Sequence, residues 1–262
     1  MSAAASLPVG NLLREWRQRR RRSQLDLASD AAISTRHLSF IETGRAQPSR
    51  AMLLRLAEHL ELPLRARNTL LTAGGFAASY PERPLDVPAM EPARRAVELV
   101  LRGHEPFPAL AVDRHWNLVL ANAAVAPLLA GVAPGLLAPP VNVLRLSLHP
   151  EGMAPRIENL GEWRGHLLER LRQQIAASAD PVLDALLAEL EAYPGRASAA
   201  PRDDLAGVAV PLRLRDGGGR LLSFLSTTTV FGTPIDVTLS ELMLESFFPA
   251  DDATRLALGG GR

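Results

Sequence analysis

Residues 23–50, SQLDLASDAAISTRHLSFIETGRAQPSR, constrain this chain more than any other stretch. Ser23 precedes Asp26 by three residues, a short capping-box pattern that opens a helix over Gln24–Ala31. Ser34 is placed to cap a second short helix, Thr35–Glu42, whose Leu38 and Ile41 face inward with Leu27 and Ala28. Two short helices joined by a tight turn, each opened by a hydroxyl residue, make a helix-turn-helix. That unit lays its second helix in the major groove of double-stranded DNA.

With the helices on either side, the stretch resembles the helix-turn-helix of the Cro/C1-type (xenobiotic-response-element) bacterial regulators. The likeness rests on Gln24 at the start of helix two and Ser34 at the cap of helix three. It continues through Glu42-Thr43-Gly44-Arg45, followed by Pro48-Ser49. The resemblance implies a structural, not DNA-facing, role for Glu42. One position departs: where the family usually has glycine, this chain has Ala32. Either a site of positive φ accepts a Cβ at small cost, or the turn takes another geometry.

Composition narrows the chemistry. There is no cysteine, which excludes disulfides, thiolate zinc sites and cysteine nucleophiles. All 29 basic residues are arginine, so neither a phosphate-loop lysine nor Schiff-base chemistry has its ε-amine. The N-terminus lacks the charged and apolar blocks of a signal peptide, and no apolar run approaches the ~20 residues of a membrane span. A soluble, cytoplasmic protein with no membrane partner is expected. Charge is split along the chain: residues 1–75 hold 12 Arg against 6 acidic residues, and the remainder 17 Arg against 22. A basic end beside an acidic remainder is the asymmetry of a chain that meets a polyanion at one end. The run Arg19-Arg20-Arg21-Arg22 reads as phosphate contacts, with a solvated helix end as the alternative.

Residues 9–22 form a first helix with Leu12, Leu13 and Trp16 inward; Arg50–Leu60 and Leu64–Thr72 are the fourth and fifth. A proline-rich stretch, 79–91, reads as a linker after a helix-turn-helix domain at 1–78. Beyond it come a helix at Pro92–Gly103 and strands at Ala109–Val112 and Leu118–Ala121. A helix opened by Asn159 and Glu162 follows, then another opened by Asp180-Pro181. Strands are expected at Val208–Arg215, Arg220–Phe231 and Asp236–Phe248, with a hairpin turn at Asp216–Gly219 and a further turn at 232–234. The fold class is α+β: five helices, then a PAS-like domain at 92–251 with a five-stranded antiparallel sheet and helices across one face. Residues 252–262 read as a flexible tail.

Three passages in this second part, 104–122, 141–174 and 224–251, resemble the ligand-binding domain of MmyB-like transcription regulators. What the resemblance implies is a DNA-binding domain joined to a PAS-like sensor, with a fatty acid as one known type of ligand.

Candidate residues follow for both ends. Thr35 and Arg36 stand at the start of the recognition helix, where base edges are met. Arg36 suits guanine O6 and N7, or else a phosphate. Ser39 and Phe40 lie one turn on; Phe40 touches a thymine methyl or packs on the next helix. His37 shares that face or meets a phosphate, Gln24 and Arg45 are phosphate candidates, and Ser34 belongs to the same set. For the ligand, Phe107, Trp116, Trp163 and Phe231 are candidate apolar walls, and Arg145 and Arg156 candidate carboxylate partners; each also suits a core or ion-pair role. His149, His166 and Glu169 make only a faint metal pattern without H-E-x-x-H spacing, Asp216–Gly219 lacks the lysine and helix of a phosphate loop, and no G-x-S-x-G occurs. No catalytic residue, metal or cofactor is expected. The reading is a DNA-binding regulator, homodimeric on an operator and sensing a small apolar ligand. The alternative is a second domain that serves only dimerisation or partner binding.

Overall fold

The computed structural model describes residues 8–194, 210–232 and 234–259 and divides into two compact units. The first comprises residues up to Arg83 together with Thr233–Ser240; the second comprises Pro84–Gly232 and Glu241 onward.

Five helices build the first unit: α1 (Val9–Arg19), α2 (Gln24–Asp30), α3 (Thr35–Glu42), α4 (Arg50–His59) and α5 (Leu64–Ala73). Their starts follow local chemistry. The hydroxyls of Ser23, Ser34 and Ser49 accept hydrogen bonds from the backbone N–H groups of Asp26, His37 and Met52, which satisfies otherwise orphaned donors. Ser23 and Asp26 complete a reciprocal capping box. Leu13, Leu27, Leu38, Ile41, Leu53 and Leu56 are fully buried and form the core. Gly10 lets α1 lie directly on α3: a Cβ there would come within 2.4 Å of the Ile41 carbonyl oxygen. The turn after α2 keeps the left-handed geometry, with Ala32 at φ +52° and the Ile33 N–H bonded to Ala28 O. The helix therefore ends in a Schellman motif on alanine, whose side chain is exposed and whose Cβ carries the local cost of the left-handed backbone, about 1–2 kcal/mol.

One ion pair joins three of these helices. Arg17 on α1 donates to both carboxylate oxygens of Glu42 on α3, at 2.6 and 2.9 Å, and Gln24 on α2 adds a 2.8 Å bond. The Glu42 side chain is only 2% exposed. The hydrogen bond to Glu42 raises the Arg17 pKa further, so the guanidinium stays charged. The stretch 79–83, expected as linker, packs into this unit: the Asn68 carboxamide grips the backbone of Ser79 and Tyr80, and Arg65 pairs with Glu82. Asp236 is fully buried and accepts from Arg83 at 2.8 Å, while Val237 N–H donates to Pro81 O. Residues 237–240, expected inside a strand, are a helical turn instead, because the Asp236 carboxylate caps the N–H of Thr238.

The second unit opens with α6 (Glu91–Gly103) and is built on an antiparallel sheet of order β2-β1-β5-β4-β3. The strands are β1 (Ala109–Val112), β2 (Leu118–Ala121), β3 (Leu212–Arg215), β4 (Leu221–Val230) and β5 (Met243–Pro249). This is the α+β, PAS-like arrangement expected. Helices α7 (Val143–Leu148), α8 (Leu160–Ser178) and α9 (Pro181–Ala192) share the larger core cluster with the sheet. Alternate residues Ala109, Ala111 and Leu244 belong to a second cluster with Val97 and Leu101 of α6, which places α6 on the opposite face.

Some local expectations change. Asn159 stands at the N-cap of α8, but its carboxamide bonds the backbone of Pro211 and Arg213, stitching the helix start to β3. The expected third strand starts at Leu212; Val208 lies outside the described residues. The expected tail opens as a helix, α11 (Asp252–Ala257, following α10, Val237–Ser240), capped by Asp251 and anchored by fully buried Thr254. The β3–β4 connection is the expected hairpin, with Asp216 accepting from Gly218 and Arg220 N–H.

Replacing Glu42 by alanine strands the buried Arg17 charge. We expect unfolding of the first unit to become easier by about 3–5 kcal/mol, measured by denaturant titration with Trp16 fluorescence.

Candidate DNA-binding face and ligand cavity

On the first unit, the residues of α3 divide by exposure. Leu38, Ile41 and Glu42 are buried, Arg36 is exposed, and Thr35, His37, Ser39 and Phe40 are half-buried. Arg36 and Phe40 act together, the guanidinium lying 5.3 Å from the ring centroid. The Ser34 hydroxyl is occupied by the cap to His37 N–H, and Gln24 directs its side-chain amide to Glu42. Gly44, at φ +72°, closes α3, with the N–H of Arg45 bonded to Phe40 O, and leaves the Arg45 side chain exposed.

The arginine run does not act as one patch. Arg20 donates to the carbonyls of Leu60 and Glu61 at the end of α4, and Arg22 reaches His59 O and the Asp30 carboxylate. These two arginines complement the negative end of a helix, whereas Arg19 and Arg21 are exposed.

In the second unit a cavity of about 90 Å³ lies between the sheet and helices α7 and α8. Leucines dominate its walls, with Met153, Phe247, Trp116 and Trp163. Trp116 sits in the β1–β2 turn at φ +66°, an unfavourable backbone for a bulky residue. The turn holds it there: the Asp113 carboxylate accepts from His115 and Asn117 N–H, and the indole N–H donates to Gln174 at 2.7 Å. The Trp163 indole N–H donates to Ser147.

The polar end of the cavity carries two charged residues, Arg170 and Glu245. Arg170 on α8 donates to both Glu245 oxygens, at 2.6 and 3.2 Å, and to the Thr228 hydroxyl at 2.7 Å. That hydroxyl donates on to Glu245. The guanidinium also lies 5.0 Å from the Trp116 ring centroid. Glu245 is 4% exposed.

Of the expected ligand residues, Trp116 and Trp163 line this cavity. The others lie elsewhere. Phe107 packs edge-on against His104, and Phe231 against the α6 cluster on the opposite sheet face. Arg145 is paired twice with Glu189, whose carboxyl it holds below its ordinary value; burial and Glu189 push the neighbouring Tyr193 up to about 12. Arg156 donates to Leu128 O. Arg170 and Glu245 were missed because their pairing spans 75 residues and leaves no local pattern. The residues of the faint metal pattern face different partners: His149 the Tyr193 ring, His166 the Trp163 ring, and Glu169 Arg172. Among the described residues no group of three or more His, Cys, Asp or Glu could hold a metal ion, and no helix is long and apolar enough to cross a membrane.

Burial depresses the His166 pKa below its ordinary value; Arg170 adds to this and Glu245 opposes it. A base with a depressed folded-state pKa contributes stability above its unfolded pKa of about 6.5 and loses it as pH falls further. His166→Gln should therefore retain more of its pH 7 melting temperature at pH 5 than the parent does, measured by thermal denaturation across that range.

Comparison with known families agrees with both halves of this picture. Residues 8–70 match a helix-turn-helix domain, and residues 93–259 match the MmyB-like transcription regulator ligand binding domain. No curated protein matches the chain. With a Cro/C1-type helix-turn-helix before a ligand-binding domain that spans most of its length, the chain belongs to the MmyB-like transcription regulators.

Proposed function

We propose that the protein binds a specific operator through α3 and adjusts that binding when an apolar ligand enters the cavity. The observation that carries the reading is the leucine- and tryptophan-walled cavity beneath α7 and α8, in a chain whose other unit is a helix-turn-helix. An acyl-chain compound of the fatty-acid kind is the ligand class suggested by the family resemblance, and the apolar walls favour it. The head acts as a homodimer on half-sites about one helical turn, ~10 bp, apart. Arg36 reads a base edge, steadied by Phe40; Thr35, His37 and Ser39 border it, and Arg45 meets a phosphate. Ser34 and Gln24 contribute by positioning, since their side chains are already engaged within the head.

Selection of bound sequences from random duplexes tests this directly. A paired motif with ~10 bp spacing is expected, and recovery without sequence preference would overturn the reading. Arg36→Ala should cost about 1–3 kcal/mol on the selected site and relax one base position. Arg45→Ala should weaken all sequences alike and reduce the salt slope by about 1.

A further inference from the structure

Resting on the homodimer reading above, we infer that α6 is the docking surface for a second copy of this chain, the two helices pairing antiparallel. The helix is apolar on two sides. Val97 and Leu101 are buried in the cluster against the sheet. On the outward side Pro92, Ala96, Leu99 and Gly103 are all exposed, and at 100° per residue they fall within about 60° of one another. Leu99 is 74% exposed and neighbouring Val100 48%. A surface helix needs one apolar stripe to face its core; a second stripe left in water calls for a partner.

The charges beside the stripe say which partner. Glu91, Arg95, Glu98 and Arg102 run along one flank with alternating sign, Arg95 lying 3.4 Å from Glu91 and Arg102 2.8 Å from Glu98. Reversed on a second α6, the row is its own complement. With Leu99 seated on the partner's Ala96, Glu91 comes opposite the partner's Arg102 and Arg95 opposite the partner's Glu98. The other flank, Val100 and Ala93, is uncharged and meets its own copy. In a parallel pair the charged row would face that apolar flank and find no opposite charges across the seam. An isologous contact of this kind closes as a dimer. Thirteen residues per side fall short of the roughly 20–30 of a standard interface, so dissociation on the order of 1 μM is expected.

The test is sedimentation velocity on full-length, DNA-free protein from about 0.5 to 50 μM, across which a dimer should form. Leu99→Glu should weaken dimerisation at least about tenfold, its folding checked by circular dichroism. Arg102→Glu should weaken it about fivefold, and adding Glu91→Arg should restore it, since the facing charges are again opposite. Crosslinking reads the register, because the chain has no cysteine of its own and Gly103 has open space for a side chain. Pro92→Cys mixed with Gly103→Cys should join through a short thiol-specific crosslinker, and neither variant alone should. A protein still monomeric at about 50 μM overturns the inference; a paired motif in the operator selection would then leave the DNA-binding reading standing. A dimer indifferent to Leu99→Glu overturns it as well and moves the contact elsewhere. Crosslinking of either cysteine variant with itself does the same, by showing a parallel pair.

Discussion

A carboxylate buried in the middle of a sheet dictates how the ligand-binding half is put together. Glu245 stands on β5, the central strand of five, with almost no exposure. An unpaired charge there would be prohibitive, so a cation must be brought to it. Arg170 answers from α8, which sets the register of that long helix against the sheet. Trp116 packs on the same guanidinium, so the strained β1–β2 turn, the helix and the two strands meet at one point. The apolar cavity is the space left beneath that junction.

The DNA-binding unit repeats the device on a smaller scale. Glu42, at the end of α3, takes Arg17 from α1 and Gln24 from α2, so the recognition helix is fixed from its buried end while its opposite face stays open. Rigidity of this kind matters for base readout, since a bidentate contact discriminates only when its donor is held in place. The chain passes from the second unit back into the first at residues 233–240, between β4 and β5. Those strands also carry Thr228 and Glu245. A ligand that alters the Arg170 cluster would thus act on a hairpin covalently continuous with the DNA-binding unit.

What could be read from the sequence follows from the range of the interactions. Serine caps, Gly44 and the Leu38–Ile41 spacing act within one or two turns, and the helix-turn-helix was legible almost residue by residue. The PAS-like sheet was legible from the order of its elements. Long-range pairings were not: the Arg170 contact with Glu245 and the use of Arg20 and Arg22 as clamps on α4 depend on elements distant in sequence. Residues 237–240 misled for a different reason. A short apolar stretch fits strand and helix alike, and the buried carboxylate of Asp236 decided between them. Arg145 suited a ligand carboxylate by residue type, yet Glu189 already occupies it.

The central claim is that cavity and DNA-binding face are energetically coupled. Its most direct test is operator affinity measured on full-length, ligand-free protein, then again with a cavity ligand at saturation and its occupancy verified. Coupling of about 1–3 kcal/mol, a roughly 5- to 150-fold change in affinity, is the expected result. Identical operator affinity with the cavity demonstrably filled would contradict it.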